Sequence, residues 1–348
     1  MKKLVSLLLV LVMVLSALAL ASCTKKDDNG NDTPGTEDKT PGTEDKAPAQ
    51  ALKLGLGVYV KASATDATEE KNGQGQATIT AAAVLVDAEG KIVKAVIDCA
   101  DNKVGYTLDG KAVAVEEFKT KYEQGTNYGM VAYGGSAKEW FEQADAFCTL
   151  IAGKTSDEVK ALVVDGDKGT DEVISAGCTI TIVEFANAVV KAIANATESN
   201  ATAENTLKLG IATEQTTADA TEEKNGSNKV SSTLFAAALD AEGKVVAASS
   251  DCVEVTFGFD TTGKSTYDAT KEVLSKKEKG ANYGMVAYGG ATKEWFEQAA
   301  AFDATAIGKT PAEIAGFVAE DGYGTADLKA AGCTILVGGF TKAAAKLG

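Results

Sequence analysis

The stretch "QATITAAAVLVDAEGKIVKAVIDC" (76–99) contains the clearest structural pattern in this sequence. In its first half, apolar residues alternate along one face, as in a half-buried β-strand. These residues are Ile79, Ala81, Ala83 and Leu85. The turn-forming residues "DAEG" (87–90) follow, and "KIVKAVIDC" (91–99) is a second apolar run. The stretch therefore predicts an antiparallel hairpin.

The same pattern returns later in the chain as "STLFAAALDAEGKVVAASSDC" (232–252). Three further segments also occur twice. They are "LKLG" (52–55 and 207–210), "NYGMVAYGG" (127–135 and 282–290) and "KEWFEQA" (138–144 and 293–299). A repeat this long indicates tandem domains, because the repeats of a solenoid run roughly 20–50 residues. We predict two homologous domains, a first copy at 51–197 and a second copy at 206–348, joined by a linker at 198–205.

The later part of each copy has the sequence pattern of helix starts. A Ser or Thr followed three residues later by Glu is a capping box, in which the two residues satisfy each other's free backbone N–H groups. The pairs are Ser136–Glu139, Thr155–Glu158, Thr181–Glu184 and Thr310–Glu313. Pro311 falls at a first helical position, where its missing N–H is harmless. Strands followed by helices predict an α+β fold, in which each domain is an antiparallel sheet packed with helices.

The amino terminus has the pattern of an export signal. Two lysines precede an apolar run that ends in "LASC" (20–23), which resembles the bacterial lipobox. The resemblance implies a lipoprotein signal peptide (1–22), cleavage before Cys23 and lipidation of that thiol; an ordinary signal peptide is the alternative. Residues 23–50 include a tandem "TPGTEDK" and few apolar residues, so we expect a lipid-anchored disordered tether. The predicted location is extracytoplasmic, on the outer face of the cell membrane.

Composition excludes several functions. The formal net charge is −15, which argues against nucleic acid and against adsorption onto anionic lipid. The lipid anchor is therefore the only membrane contact that we expect. The sequence has no histidine, so neither a Ser-His-Asp triad nor a Cys-His pair can form, and a zinc site has little support.

Each copy also contains two cysteines in matching places. They are Cys99 and Cys178 in the first copy, and Cys252 and Cys333 in the second. Two cysteines per domain fit an intradomain disulfide in an exported protein. The alternative is a pair of small buried thiols, since cysteine is among the most buried residue types.

An aromatic and glycine-rich block (127–144 and 282–299) is the strongest candidate for a ligand site. Its principal aromatic residues are Tyr128 and Trp140, with Tyr283 and Trp295 as their partners in the second copy. Glycines beside them would let backbone approach a planar ligand closely. The alternative is a packed turn that leads into a helix, with the aromatic residues in the core.

The last third of each copy, "SAGCTITIVEFANAVVKAI" (175–193) and "AAGCTILVGGFTKAAAKL" (330–347), resembles the FMN-binding domain of flavinylated extracytoplasmic proteins. In that family a Ser/Thr-Gly-Ala-Thr motif precedes a final amphipathic helix, and its last threonine carries FMN through a phosphoester bond made by a flavin transferase. The resemblance implies covalent FMN on Thr179 and Thr334. Their motifs are completed by Gly177 and Cys178, and by Gly332 and Cys333. Here cysteine replaces the motif's alanine.

The layout as a whole is similar to the flavinylated surface lipoproteins of Gram-positive extracellular electron transfer. This similarity implies a membrane-anchored electron carrier rather than an enzyme with its own substrate. Its partners would be a membrane redox donor and an extracellular electron acceptor. The four aromatic residues named above would contact the flavin ring, and a helix starting after each threonine would direct N–H groups at the phosphate. The alternatives are a surface-anchored binding module for a small molecule or glycan, and a descendant of such carriers that has lost its cofactor.

Overall fold

The computed structural model describes residues 50–347. The predicted signal peptide (1–22), the lipidated Cys23 and the tether up to residue 49 lie outside the described residues. Within the described part of the chain, no helix combines the length and the apolar character needed to cross a bilayer.

The first copy forms a five-stranded antiparallel sheet in the order β4-β3-β2-β1-β7. Its strands are β1 (Leu52–Thr65), β2 (Gly73–Val86), β3 (Ile92–Tyr106), β4 (Ala112–Val113) and β7 (Thr197–Ala201), with β5 (Val163–Val164) and β6 (Lys168–Gly169) as a separate pair. The predicted hairpin is confirmed, because β2 pairs antiparallel with β3. At its turn Asp87 accepts a hydrogen bond from the backbone N–H of Lys91 at 2.8 Å.

The second copy forms a three-stranded antiparallel sheet in the order β10-β9-β8. Its strands are β8 (Thr206–Ala218), β9 (Gly226–Leu239) and β10 (Val245–Phe259). The strand register corrects the alignment suggested by "LKLG". Leu54 lies opposite Leu85 in the first sheet, and Leu207 lies opposite Ala238 in the second. The second "LKLG" is therefore the structural equivalent of residues 54–57.

Helices follow the strands in each copy, which confirms the α+β class. In the first copy they are α1 (Lys121–Gln124), α2 (Trp140–Leu150), α3 (Ser156–Lys160), α4 (Asp171–Ala176) and α5 (Val183–Ala194). In the second copy they are α6 (Lys276–Lys279), α7 (Trp295–Ala306), α8 (Pro311–Ala315), α9 (Ala326–Ala331) and α10 (Gly338–Ala345). Short 3₁₀ turns, Gly125–Tyr128 and Gly280–Tyr283, follow α1 and α6.

Two of the predicted capping boxes are confirmed and two are wrong. Thr155 and Thr310 cap α3 and α8 as expected. Helix α2 instead begins at Trp140, with Glu139 as its capping residue and Glu142 as the reciprocal partner. Helix α5 begins at Val183, after Ile182, and has no side-chain cap. Glu184 bonds to the sheet instead.

The two sheets pack face to face and share one core. Ile79 and Leu85 of β2 belong to the same buried cluster as Val230 and Leu234 of β9. The opposite face of each sheet is covered by that copy's own helices. The order of layers is therefore helices, sheet, sheet, helices. From Ile79 to Val86 both faces of β2 are buried, whereas the alternation of the sequence predicts only one buried face.

Polar and aromatic contacts also join the copies. The Asn228 side chain donates to the Gly105 carbonyl at 2.8 Å, and the rings of Tyr106 and Phe259 stack at 4.5 Å. The segment predicted as a linker begins as strand β7, which pairs with β1 at the sheet edge. The described residues accordingly belong to one compact unit.

Candidate functional site

The Gly-Cys-Thr segments form matching turns at the ends of α4 and α9. Gly177 has φ +98° and Gly332 has φ +104°, a conformation that side chains rarely adopt. A β-carbon at Gly177 would lie 2.2 Å from the ammonium nitrogen of Lys138, and one at Gly332 would lie 2.3 Å from that of Lys293. Each turn therefore requires glycine and has a lysine cation directly against it.

The threonine that ends each turn is exposed and is held by a buried glutamine. In the first copy, the N–H and Oγ1 of Thr179 donate to Gln143 Oε1 at 2.8 Å and 3.1 Å. In the second, Thr334 makes the same two bonds to Gln298 at 2.8 Å and 2.9 Å. Gln298 Nε2 in turn donates to the carbonyl of Lys293 at 3.1 Å, and Gln143 Nε2 bonds to the carbonyl of Lys138 at 3.1 Å.

The glutamines and lysines of this site were missed by the sequence reasoning. All of them lie in "KEWFEQA", which occurs in both copies, so the repeat was a usable signal. The threonines do not cap the final helices. Helix α10 begins at Gly338 rather than directly after Thr334, and α5 begins at Val183 rather than directly after Thr179, so the expected direct link between threonine and helix start is wrong.

The four matched cysteines are free and buried, as the thiol alternative expects, and the structure contains no disulfide among residues 50–347. Burial raises the pKa of Cys178 to about 11, and that of Cys333 to about 11 as well. Both thiols are therefore neutral near pH 7 and are poor nucleophiles. Of the three residues in each turn, the threonine alone offers an exposed reactive group.

The predicted aromatic contacts divide into buried tryptophans and half-buried tyrosines. Trp140 is 4 % exposed and packs edge to face on Phe185. Trp295 is 3 % exposed and stacks on Phe340. Both tryptophans thus have the core role that the alternative interpretation expects. Tyr128 and Tyr283 lie at the boundary of the core.

A lysine lies over each Tyr–Trp pair, which sequence reasoning did not foresee. Lys276 Nζ is 4.9 Å from the ring centre of Tyr283 and 5.4 Å from that of Trp295. Lys121 has the same place over Tyr128 and Trp140. Burial opposes the charge of Lys276, but Cys252 and Glu254 raise its pKa above the ordinary value. The lysine remains a cation beside the aromatic cluster.

The second copy contains a cleft of about 620 Å³ between its sheet and α10. Trp295, Phe340 and Leu336 contribute apolar surface, and Leu336 lies two residues after Thr334. The start of α10 at Gly338 and Gly339 forms another wall. This volume falls within the roughly 300–1,000 Å³ of small-molecule sites.

At the corresponding helix start, the first copy has a glutamate that bonds to the sheet. Glu184 Oε1 lies 2.7 Å from Lys61 Nζ, and Thr80 donates to Glu184 Oε2 at 3.1 Å.

Within residues 50–347, no group of three or more His, Cys, Asp or Glu side chains is arranged to hold a metal ion.

Comparison with known proteins gives one partial similarity. No family model matches the chain, and no solved structure matches it. A chlorophenol reductase of Desulfitobacterium hafniense is 32% identical over 123 residues, which cover 32% of this chain. The similarity spans 38% of the reductase's own length.

Proposed function

We propose that this protein is an extracytoplasmic electron carrier built from two tandem homologous domains, with FMN joined to Thr179 and Thr334 by phosphoester bonds. The observation that supports it best is the repeated turn, in which an exposed threonine hydroxyl lies next to a glycine and a lysine cation. The partial similarity to a protein named as a reductase is compatible with a redox role.

The residues around Thr334 fit a phosphoester. Esterification removes the hydroxyl proton that Gln298 accepts at 2.9 Å, but the Thr334 N–H keeps its bond to the same oxygen at 2.8 Å. The threonine therefore stays in position after modification. Lys293, whose ammonium lies against Gly332, would offset the negative charge of the phosphate. The neutral Cys333 thiol does not compete with the hydroxyl.

Bound FMN would supply the redox chemistry, and the chain would supply position and shielding from water. In the second copy Leu336 is an exposed apolar residue of the cleft, and the buried Trp295 and Phe340 form part of its wall, so a ring held there would contact apolar surface. Lys276 lies beside Trp295 and forms a salt bridge with Glu254, another residue of the cleft, at 3.2 Å. The partners in this proposal are a flavin transferase, a membrane redox donor and an extracellular electron acceptor, with a lipid anchor at Cys23 as the membrane contact.

A surface binding module for a small molecule or glycan is the second candidate. The cleft of the second copy favours it, because a cavity of about 620 Å³ could hold a ligand without any covalent bond. One measurable property distinguishes the two candidates, namely whether a covalent group is attached to threonine.

The test uses the full chain coexpressed with a flavin transferase in flavin-replete cells. We expect fluorescence on a denaturing gel, and peptide masses for Thr179 and Thr334 that exceed the unmodified values by FMN less water. Thr334→Val should remove the label from the second copy alone. Thr181→Val is the matched control, since Thr181 is exposed but lies outside the glycine turn. Unmodified masses for both peptides would exclude the carrier proposal.

A further inference from the structure

We propose that the two copies hold their flavins differently: the second copy encloses the ring in its cleft, whereas the side chain of Glu184 closes the equivalent space in the first copy and leaves that ring in solvent. This inference rests on the proposed function and concerns how each site receives the ring.

The strand registers define the equivalent positions. Thr80 lies opposite Cys99 in the first sheet, and Thr233 lies opposite Cys252 in the second. Two residues earlier on β2 and β9, Thr78 lies opposite Lys61 and Ser231 lies opposite Glu214. Lys61 therefore corresponds to Glu214. The shared Gly-Cys-Thr turn makes Glu184 the equivalent of Gly339.

In the second copy all three equivalents, Glu214, Thr233 and Gly339, line the cleft. In the first copy Lys61 and Thr80 both bond to Glu184 instead. The Glu184 carboxylate joins Lys61 at 2.7 Å and Thr80 at 3.1 Å. The hydrogen bond to Glu184 also raises the pKa of Lys61, so this lysine remains charged near pH 7. The open space of one copy is thus the position of an ion pair in the other.

The second copy cannot close in the same way. Gly339 has no side chain, and a β-carbon there would lie 2.4 Å from Thr233 Oγ1. Glu214 pairs with Lys342 at 2.5 Å, one helical turn beyond Gly339. The ion pair of the second copy therefore lies away from the start of α10. The space beside Gly338 is open, since a β-carbon there would have no neighbour within 4 Å.

The charge at the start of the final helix also differs between the two copies. Glu184 is acidic and lies in the first turn of α5, where it balances the positive end of the helix dipole. The first turn of α10 contains no acidic residue. Its N–H groups border the cleft and are available to acceptor atoms of a ring held there.

A groove of about 640 Å³ in the first copy includes part of the equivalent surface, because Lys61 and Thr78 correspond to Glu214 and Ser231 of the cleft. Lys61, Gln76 and Thr78 line it, and it continues to Tyr267 of the second copy. Its lining residues do not include Trp140 or Phe185, the equivalents of the tryptophan and phenylalanine in the open cleft. The first copy's aromatic cluster is therefore not reached from this groove.

The test compares iodide quenching of flavin fluorescence in two full-length flavinylated proteins. Thr179→Val retains only the second label, and Thr334→Val retains only the first. We expect the quenching constant of the second label to be several-fold lower. Equal quenching of two confirmed labels would overturn this inference and leave the carrier proposal intact. Absence of both labels by mass would instead overturn the carrier proposal.

Exchanging the closing residues gives an independent check. In the Thr334→Val background, Glu184→Gly should lower iodide quenching of the first label, because the space beside Thr80 opens. Glu184→Gln is the matched control, since it keeps the side-chain length, and it should leave quenching unchanged. In the Thr179→Val background, Gly339→Glu with Glu214→Lys should raise quenching several-fold. Circular dichroism shows whether that variant folds. If it does not fold, the Glu184→Gly variant decides, and unchanged quenching of the first label in Glu184→Gly would contradict the inference.

Discussion

Each residue of the Gly-Cys-Thr turn has a separate role. The glycine adopts a backbone conformation that other residues avoid, the cysteine packs in the core, and the threonine presents its hydroxyl to solvent. A single amide oxygen of Gln143 or Gln298 accepts both hydrogen bonds from that threonine. Positioning of the hydroxyl thus depends on a residue that lies 36 positions earlier in each copy.

Asp98, a second buried residue, gives a prediction about pH. It accepts hydrogen bonds from the backbone N–H groups of Cys99 and Tyr122, but burial raises its pKa to about 6. The folded protein therefore binds this proton more tightly than the unfolded chain does. The stability contributed by this proton is complete below the unfolded pKa near 4 and is lost as pH rises through about 6. Asp98→Asn should raise the free energy of unfolding at pH 7 by up to about 3 kcal/mol.

Urea denaturation at pH 4 and pH 7 measures this effect. The gain from Asp98→Asn should be large at pH 7 and small at pH 4, where the native carboxyl is already protonated. Asp157→Asn serves as the control, because that side chain is 91% exposed. A gain of the same size at both pH values would show that the substitution acts by some route other than the charge.

At the scale of elements, the sequence predicted correctly those features that depend on contacts between neighbouring residues. The hairpin of β2 and β3 and the caps of α3 and α8 all depend on residues within a few positions of one another, and these predictions are confirmed. The cap at Thr181 failed because its intended partner, Glu184, bonds to Lys61 and Thr80 on distant strands. Such partners come together only in the folded sheet, so spacing along the chain could not reveal them.

The helix caps provide the second prediction. Thr310 Oγ1 accepts a hydrogen bond from the backbone N–H of Glu313 at 3.3 Å. Thr310→Ala should therefore lower the free energy of unfolding by about 1 kcal/mol. Thr181→Ala, at an exposed threonine that caps no helix, should change it by less than about 0.5 kcal/mol. Equal losses in urea denaturation would contradict the assigned cap.

At the scale of the whole molecule, the sequence revealed the duplication but not how the copies meet. Alternation along β2 predicted one buried face, yet the intervening residues Ala82, Val84 and Val86 are also apolar and lie under the helices. That second apolar series was a sign that both faces are covered. The open cleft was equally hidden, because it depends on the difference between Glu184 and Gly339 in three dimensions.

The shared core gives the third prediction. A second copy expressed alone as residues 206–348 would expose the face of β9 that includes Val230 and Leu234. We expect it to self-associate or aggregate, because an apolar sheet face of this kind needs a partner. Size-exclusion chromatography with light scattering, beside the full chain, measures the outcome. A monomer that unfolds cooperatively in urea would show that the copies are independent domains.

Strand β1 determines how the fold responds to mechanical load. At its start Lys53 pairs with Val86 on one side and with Glu198 of β7 on the other. Tension that arrives through the chain before Leu52 acts along the strand axis, so it stresses the hydrogen bonds to both neighbours together, in shear. An edge strand pulled sideways would instead release its bonds one after another. The connecting segment between the copies, by forming β7, thus reinforces the first strand of the sheet against such tension.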